Sequence, residues 1–100
     1  MSITRLNEFK ALPGKFEELI NRFEEIATQI RTVEGNERCE VLLKVADGID
    51  ADDKLFVLEV WKDIAAHKNA ASAIDQKQFE AVMALLSERP VGQYYTTLEV

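Results

Sequence analysis

Residues 55–61, Leu-Phe-Val-Leu-Glu-Val-Trp, constrain this chain more than any other stretch. Side chains alternate across a strand, so Leu55, Val57, Glu59 and Trp61 point one way and Phe56, Leu58 and Val60 the other. Both faces are apolar, so both need a cover. A chain of 100 residues has few helices to supply one. It buries only about 60–70% of the surface that its unfolded form exposes.

The flanking segments predict what those covers are. Ile3, Leu6 and Phe9 mix with polar residues over 3–10, a strand that Pro13-Gly14 breaks. Phe16, Leu19, Ile20, Phe23, Ile26, Ala27 and Ile30 then recur at helical spacing, with Glu17, Glu18, Asn21, Arg22, Glu24 and Glu25 on the other side. This predicts an amphipathic helix over 14–33, closed by Gly35 in a left-handed conformation. Residues 39–45 alternate as a strand, and the polar run from Asp47 to Asp53 predicts a turn. Asp63 is placed to cap the next helix, which carries His67. Ser72 and Asp75 match the S-x-x-D capping signature and predict a restart at Ser72. Phe79, Val82, Met83 and Leu86 form its apolar stripe, Pro90 stops it, and 91–100 reads as a last strand. The order β-α-β-β-α-β predicts a single domain over 1–100, an α+β ferredoxin-like unit with strands one and three central and both helices on one sheet face. The other face is then left with wet aliphatic side chains, each forgoing about 1.5–3 kcal/mol of burial. A two-fold homodimer through the sheet faces removes that loss.

Charge and cysteine usage narrow the partners. With 18 acidic against 12 basic residues and a formal net charge of -6, the chain lacks the positive surface that nucleic acid or an anionic membrane demands. Cys39 is the only cysteine, so no intrachain disulfide can form, and a buried structural thiol is expected. Neither a signal-peptide pattern nor an apolar run of membrane-spanning length is found, and a reducing cytoplasm is the expected setting. The aspartates at 47, 50, 52 and 53 lack the order of a calcium loop, with Gly48 misplaced. No zinc spacing, phosphate-cradling glycine loop or dinucleotide fingerprint occurs.

The candidate site residues are Asn7, Trp61 and His67. Trp61 shares a strand face with Glu59, where sheet and helices can part to hold an aromatic ligand, although a space-filling core role suits it as well. His67 follows in the first turns of a helix, where a neutral imidazole can take a proton near pH 7 or simply sit half-buried. Asn7 lies between Arg5 and Phe9 on one face of the first strand, where its amide needs partners or faces a ligand or solvent. Tyr94-Tyr95 puts one phenol on each face of the last strand, explained by packing alone.

Pro13-Gly14, Glu34-Gly35, Glu59-Val60-Trp61-Lys62-Asp63 and His67, in this order, resemble the antibiotic biosynthesis monooxygenase (ABM) family across essentially the whole chain. The resemblance implies a dimeric α+β barrel. It implies oxidation of a phenolic or quinol-type small molecule by molecular oxygen, with no metal, flavin or other cofactor. It gives Trp61 the ring-packing role, Asn7 a hydrogen bond to a substrate oxygen, and His67 the part of base or polar clamp. Many members carry a second histidine about five residues after the first. Here residues 69–74 are Asn-Ala-Ala-Ser-Ala-Ile, which puts any two-histidine mechanism in doubt. A heme-degrading branch of the fold uses a histidine about ten residues after the tryptophan, but position 71 is Ala. A ligand-binding module without turnover and an isomerase of a small carbonyl metabolite remain as other functions for this fold.

Overall fold

A computed structural model describes residues 1–45 and 53–100. The strands β1 (Ile3–Lys10), β2 (Asn36–Leu43), β3 (Lys54–Trp61) and β4 (Val91–Tyr95) form one sheet in the order β2-β3-β1-β4, antiparallel throughout. The helices are α1 (Phe16–Ile30), α2 (Ile64–Ala70) and α3 (Gln76–Met83), with a 3-10 turn at Ala71–Ala73 between the last two. This is the expected ferredoxin-like α+β unit, with β1 and β3 central. The acidic turn foreseen around Asp47, Asp50 and Asp52 lies outside the described residues.

Burial alternates along β3 as the parity requires. Leu55, Val57, Glu59 and Trp61 are buried beneath the helices, while Phe56, Leu58 and Val60 are only partly covered. Through the register, Leu6 joins Leu58 and Leu42 joins Phe56 on that second face. Leu42 is 40% exposed there. On the covered side, α1 inserts Leu19, Phe23, Ile26, Ala27 and Ile30. The helix starts later than 14 because Gly14 takes a positive φ of 78°, which ends the turn before the helix. It ends at Ile30, three residues short of the expected boundary, where hydrogen bonds from Thr32 and Val33 tighten the chain toward Gly35. Gly35 has φ 90°, and its carbonyl accepts from the Lys62 N–H at 2.9 Å. A Cβ there would lie 2.7 Å from that of Ala66, so the position requires glycine for both conformation and space.

Asp63 caps α2 as expected, its carboxylate accepting from the Ala66 N–H at 2.8 Å. The capping expectation at Ser72 is corrected. Its hydroxyl donates to the Asn69 carbonyl inside the 3-10 turn, and Asp75 caps α3 by accepting from the Lys77 N–H. The apolar stripe is narrower than its spacing suggested. Val82 is buried, but Phe79 is 51% exposed and lines a hollow between sheet and helices. β4 stops at Tyr95, not at residue 100. Tyr95 pairs with Thr4 near the start of β1, and the strand soon runs out of partner.

Candidate functional site

Glu59 stands at the centre of the helix-covered row of β3, where every other residue is apolar or aromatic. It is 6% exposed. A carboxylate in such a place needs donors. Trp61, two residues along the same face, donates its indole N–H to Glu59 Oε1 at 2.9 Å. Asn7, on the adjacent β1, donates its side-chain N–H to Glu59 Oε2 at 3.0 Å. The Asn7 amide is fixed in turn, because Arg5 Nε donates to Asn7 Oδ1 at 3.1 Å. Gly92, opposite Asn7 on β4, makes this possible: a Cβ there would overlap both the Arg5 guanidinium and the Asn7 amide oxygen.

A second group meets the first from the other side. The Arg5 guanidinium carbon lies 4.6 Å from the Tyr94 ring centroid, a cation–π contact. The Tyr94 hydroxyl is 2.6 Å from His67 Nδ1. The His67 ring stands edge-on to both Tyr94 and Trp61, with centroids 5.3 and 5.8 Å apart. The expected residues Asn7, Trp61 and His67 therefore come together, and they do so around a fourth, Glu59. Trp61 is fully buried, with its polar end turned to the carboxylate.

These side chains border a hollow between sheet and helices. The larger part, about 470 Å³, is lined by Glu59, Trp61 and His67 on one side and Ile30, Ile74 and Phe79 on the other. A smaller space of about 190 Å³ reaches Asn7 and shares Glu59 and His67. The first falls within the size range of small-molecule sites. Lys68 and Gln76 stand at its edge.

The electrostatics follow from burial and neighbours. Burial raises the Glu59 carboxyl above its ordinary range, against the opposing pull of the Trp61 hydrogen bond, the Arg5 charge and the Asn7 hydrogen bond. Burial, then the charges of Arg5 and Lys68, hold His67 below the usual imidazole range. Burial, with the nearby Glu59 charge, pushes the Cys39 thiol up to about 11, as suits an inert buried thiol. Among the described residues no cluster of three or more His, Cys, Asp or Glu side chains could hold a metal ion, and no helix is long and apolar enough to cross a membrane.

Sequence reasoning missed Glu59, Arg5 and Tyr94 as members of the site. The signal for Glu59 was present: it has the buried parity of β3, and an acid on that row calls for donors. Arg5 shares the parity of Asn7 and was one step away. Tyr94 was assigned to packing, whereas its hydroxyl engages His67.

The model of the antibiotic biosynthesis monooxygenase family matches residues 2–82. No curated protein matches at a significant level. Among solved structures, SnoaB, a cofactor-independent oxygenase from Streptomyces nogalater, superposes with a TM-score of 0.79 at 20% identity, covering 99% of this chain and 95% of that one. Rv0793 from Mycobacterium tuberculosis gives 0.82 at 17% identity, covering 100% and 98%. A conserved protein from Methanosarcina mazei Go1 gives 0.81 at 18% identity, covering 95% and 91%. At these identities the structures speak for the fold, and the family model for membership. Its match spans most of the length and takes in β1, α1 and the Glu59–Trp61–His67 segment, so the chain belongs to the antibiotic biosynthesis monooxygenase family.

Proposed function

We propose that the protein is a cofactor-independent monooxygenase acting on an electron-rich aromatic, phenolic or quinol-like small molecule. The observation that carries the reading is the convergence of Asn7, Glu59, Trp61 and His67 on one largely apolar hollow. Membership of the family supports it, as does the likeness to a cofactor-independent oxygenase. Apolar walls at Ile30, Ile74 and Phe79 suit a flat ring and a neutral oxygen molecule. Buried polar groups at one end suit proton removal and an anion.

For a substrate with an activated ring methylene the chemistry balances without a further reductant. A C–H bond breaks and the proton passes to the protein, leaving the electron pair on the substrate. The anion gives one electron to oxygen, and radical and superoxide combine into a C–O bond. The peroxide takes up the first proton. Loss of the second C–H proton then breaks the O–O bond, forms the carbonyl and expels hydroxide, which leaves with that proton as water.

The same reading includes a two-fold homodimer. A second copy, laid on the face of Leu6, Leu42, Phe56, Leu58 and Val60, would cover the partly exposed side of the sheet, and self-complementarity makes a copy of this chain the fitting occupant.

Oxygen-electrode measurements with a panel of anthrones and hydroquinones test the activity. Consumption above the buffer rate, with one carbonyl oxygen of the product taken from labelled oxygen gas, is the expected result. Tight binding of those rings with no consumption refutes it.

A further inference from the structure

We propose that Glu59 is the base that takes the substrate proton and that His67 is a hydrogen-bond donor, through Nε2, to the oxyanion that forms. This rests on the oxygenase reading and divides the work within its site.

The geometry of Glu59 is that of a fixed acceptor. A carboxylate offers about four lone-pair positions. Trp61 occupies one on Oε1 and Asn7 one on Oε2, so each oxygen keeps a further site while the group is barred from turning. Its residual exposure is small, and Glu59 lines both parts of the hollow. Asn7 has its carbonyl end held by Arg5 and one of its two N–H groups on Glu59, so it positions the carboxylate. The raised carboxyl of Glu59 brings its basicity closer to that of an activated C–H or phenol than an exposed glutamate's would be.

His67 is placed differently. Its Nδ1 is closed by the Tyr94 hydroxyl. A cation over the ring draws electron density from the phenol and favours the arrangement in which Tyr94 gives its hydrogen and Nδ1 accepts it. In a neutral imidazole the other nitrogen then carries the hydrogen. Burial and the charges of Arg5 and Lys68 keep the ring neutral at pH 7. Such a ring is a donor, not a base. In the step itself, the substrate C–H bond breaks, an O–H bond forms on Glu59, and the electron pair moves to the ring carbonyl oxygen, which accepts from Nε2–H.

The test is anaerobic exchange of the anthrone methylene hydrogens for deuterium, followed by proton NMR, because it reads the proton step without oxygen. The wild-type protein is expected to exchange them faster than buffer, Glu59→Gln to lose about 100-fold or more, and His67→Gln to be slower than the wild type while keeping its pH dependence. Wild-type exchange at the buffer rate overturns the assignment, as does full exchange in a folded Glu59→Gln. Should that variant not fold, the pH profile decides. The groups facing Glu59 are Arg5 from β1, Cys39 from β2, and His67 and Lys68 from α2. The rate is expected to fall with pH on one carboxyl titration that persists in His67→Gln; a profile that flattens in that variant overturns the assignment. Admitting oxygen separates the two claims. Exchange without anthraquinone sinks the oxygenase reading alone, and undiminished anthraquinone from Glu59→Gln sinks the base assignment alone.

Discussion

Replacing Trp61 with Phe removes one hydrogen bond from a buried carboxylate and part of a buried ring, and pH tells the two losses apart. The indole N–H reaches Glu59 Oε1 at 2.9 Å, and the ring is fully buried. A hydrogen bond to a charged group contributes about 1.5–3 kcal/mol. The smaller ring leaves a void worth roughly 1–2 kcal/mol, well below full truncation to alanine. Near pH 8 the variant is therefore expected to be less stable by about 2.5–5 kcal/mol, a large share of the margin of a domain this size.

The sign of the pH dependence is fixed by which form of Glu59 the donor favours. Burial raises the folded-state carboxyl above its unfolded value, so its linkage contribution is fully present below the unfolded value and is lost as pH rises through the folded one. The Trp61 donor opposes that rise. Without it the folded carboxyl climbs further, and the variant goes on losing stability over a window in which the wild type has stopped. The gap between the two thus widens as pH rises through the raised carboxyl range, and at pH 4 it shrinks to the packing loss of roughly 1–2 kcal/mol. Urea denaturation of both proteins at pH 8, 6 and 4, at equal chain concentration, measures it. A gap that stays constant from pH 8 to pH 4 refutes the reasoning and leaves packing as the whole effect.

Three further outcomes follow from the fold. Sedimentation at micromolar concentration is expected to give twice the 11.3 kDa chain mass, and Leu58→Arg, on the uncovered face, to give the chain mass with its helical spectrum kept; a wild type at 11.3 kDa removes the homodimer. Gly35→Ala places a Cβ at φ 90° against Ala66 and is expected to lower stability by about 1–3 kcal/mol in urea, where an unchanged midpoint would contradict the close approach. Cys39, buried and pushed up to about 11, is expected to resist a thiol reagent at pH 8 until urea unfolds the chain; prompt labelling of native protein would mean the strand is open there.

The architecture was legible because each element carried its own signal. The apolar spacing of α1 named the residues it buries, and the parity of β3 named the two faces of the sheet. Boundaries were less legible where a neighbour decides them. Residues 96–100 have a strand's composition, but β1 has little left to pair with beyond Thr4. Ser72 has a cap's spacing, but the chain tightens into a 3-10 turn that uses its hydroxyl otherwise. The site was half legible. Trp61 and His67 stood out as the only residues of their types, and Asn7 as an amide in a central strand. Tyr94 and Arg5 did not, because their roles arise from pairing β4 with β1, a contact between residues 89 positions apart that no local pattern encodes.

Glu59 turns these placements into one argument. An apolar residue at that point would complete the row of Leu55, Val57 and Trp61 and free Asn7 and Arg5 from holding a charge. Burying a carboxylate instead costs desolvation, and its donors only partly offset that, since the carboxyl remains raised. The chain also sets Gly92 where any side chain would displace Arg5 and Asn7. Four positions on three strands are thus committed to keeping one acid buried and fixed beside a hollow. Packing supplies no reason for that arrangement. The proton chemistry proposed for Glu59, on a molecule held in the hollow, would supply one for the break in the local rules of a buried strand at this residue and at no other on β3.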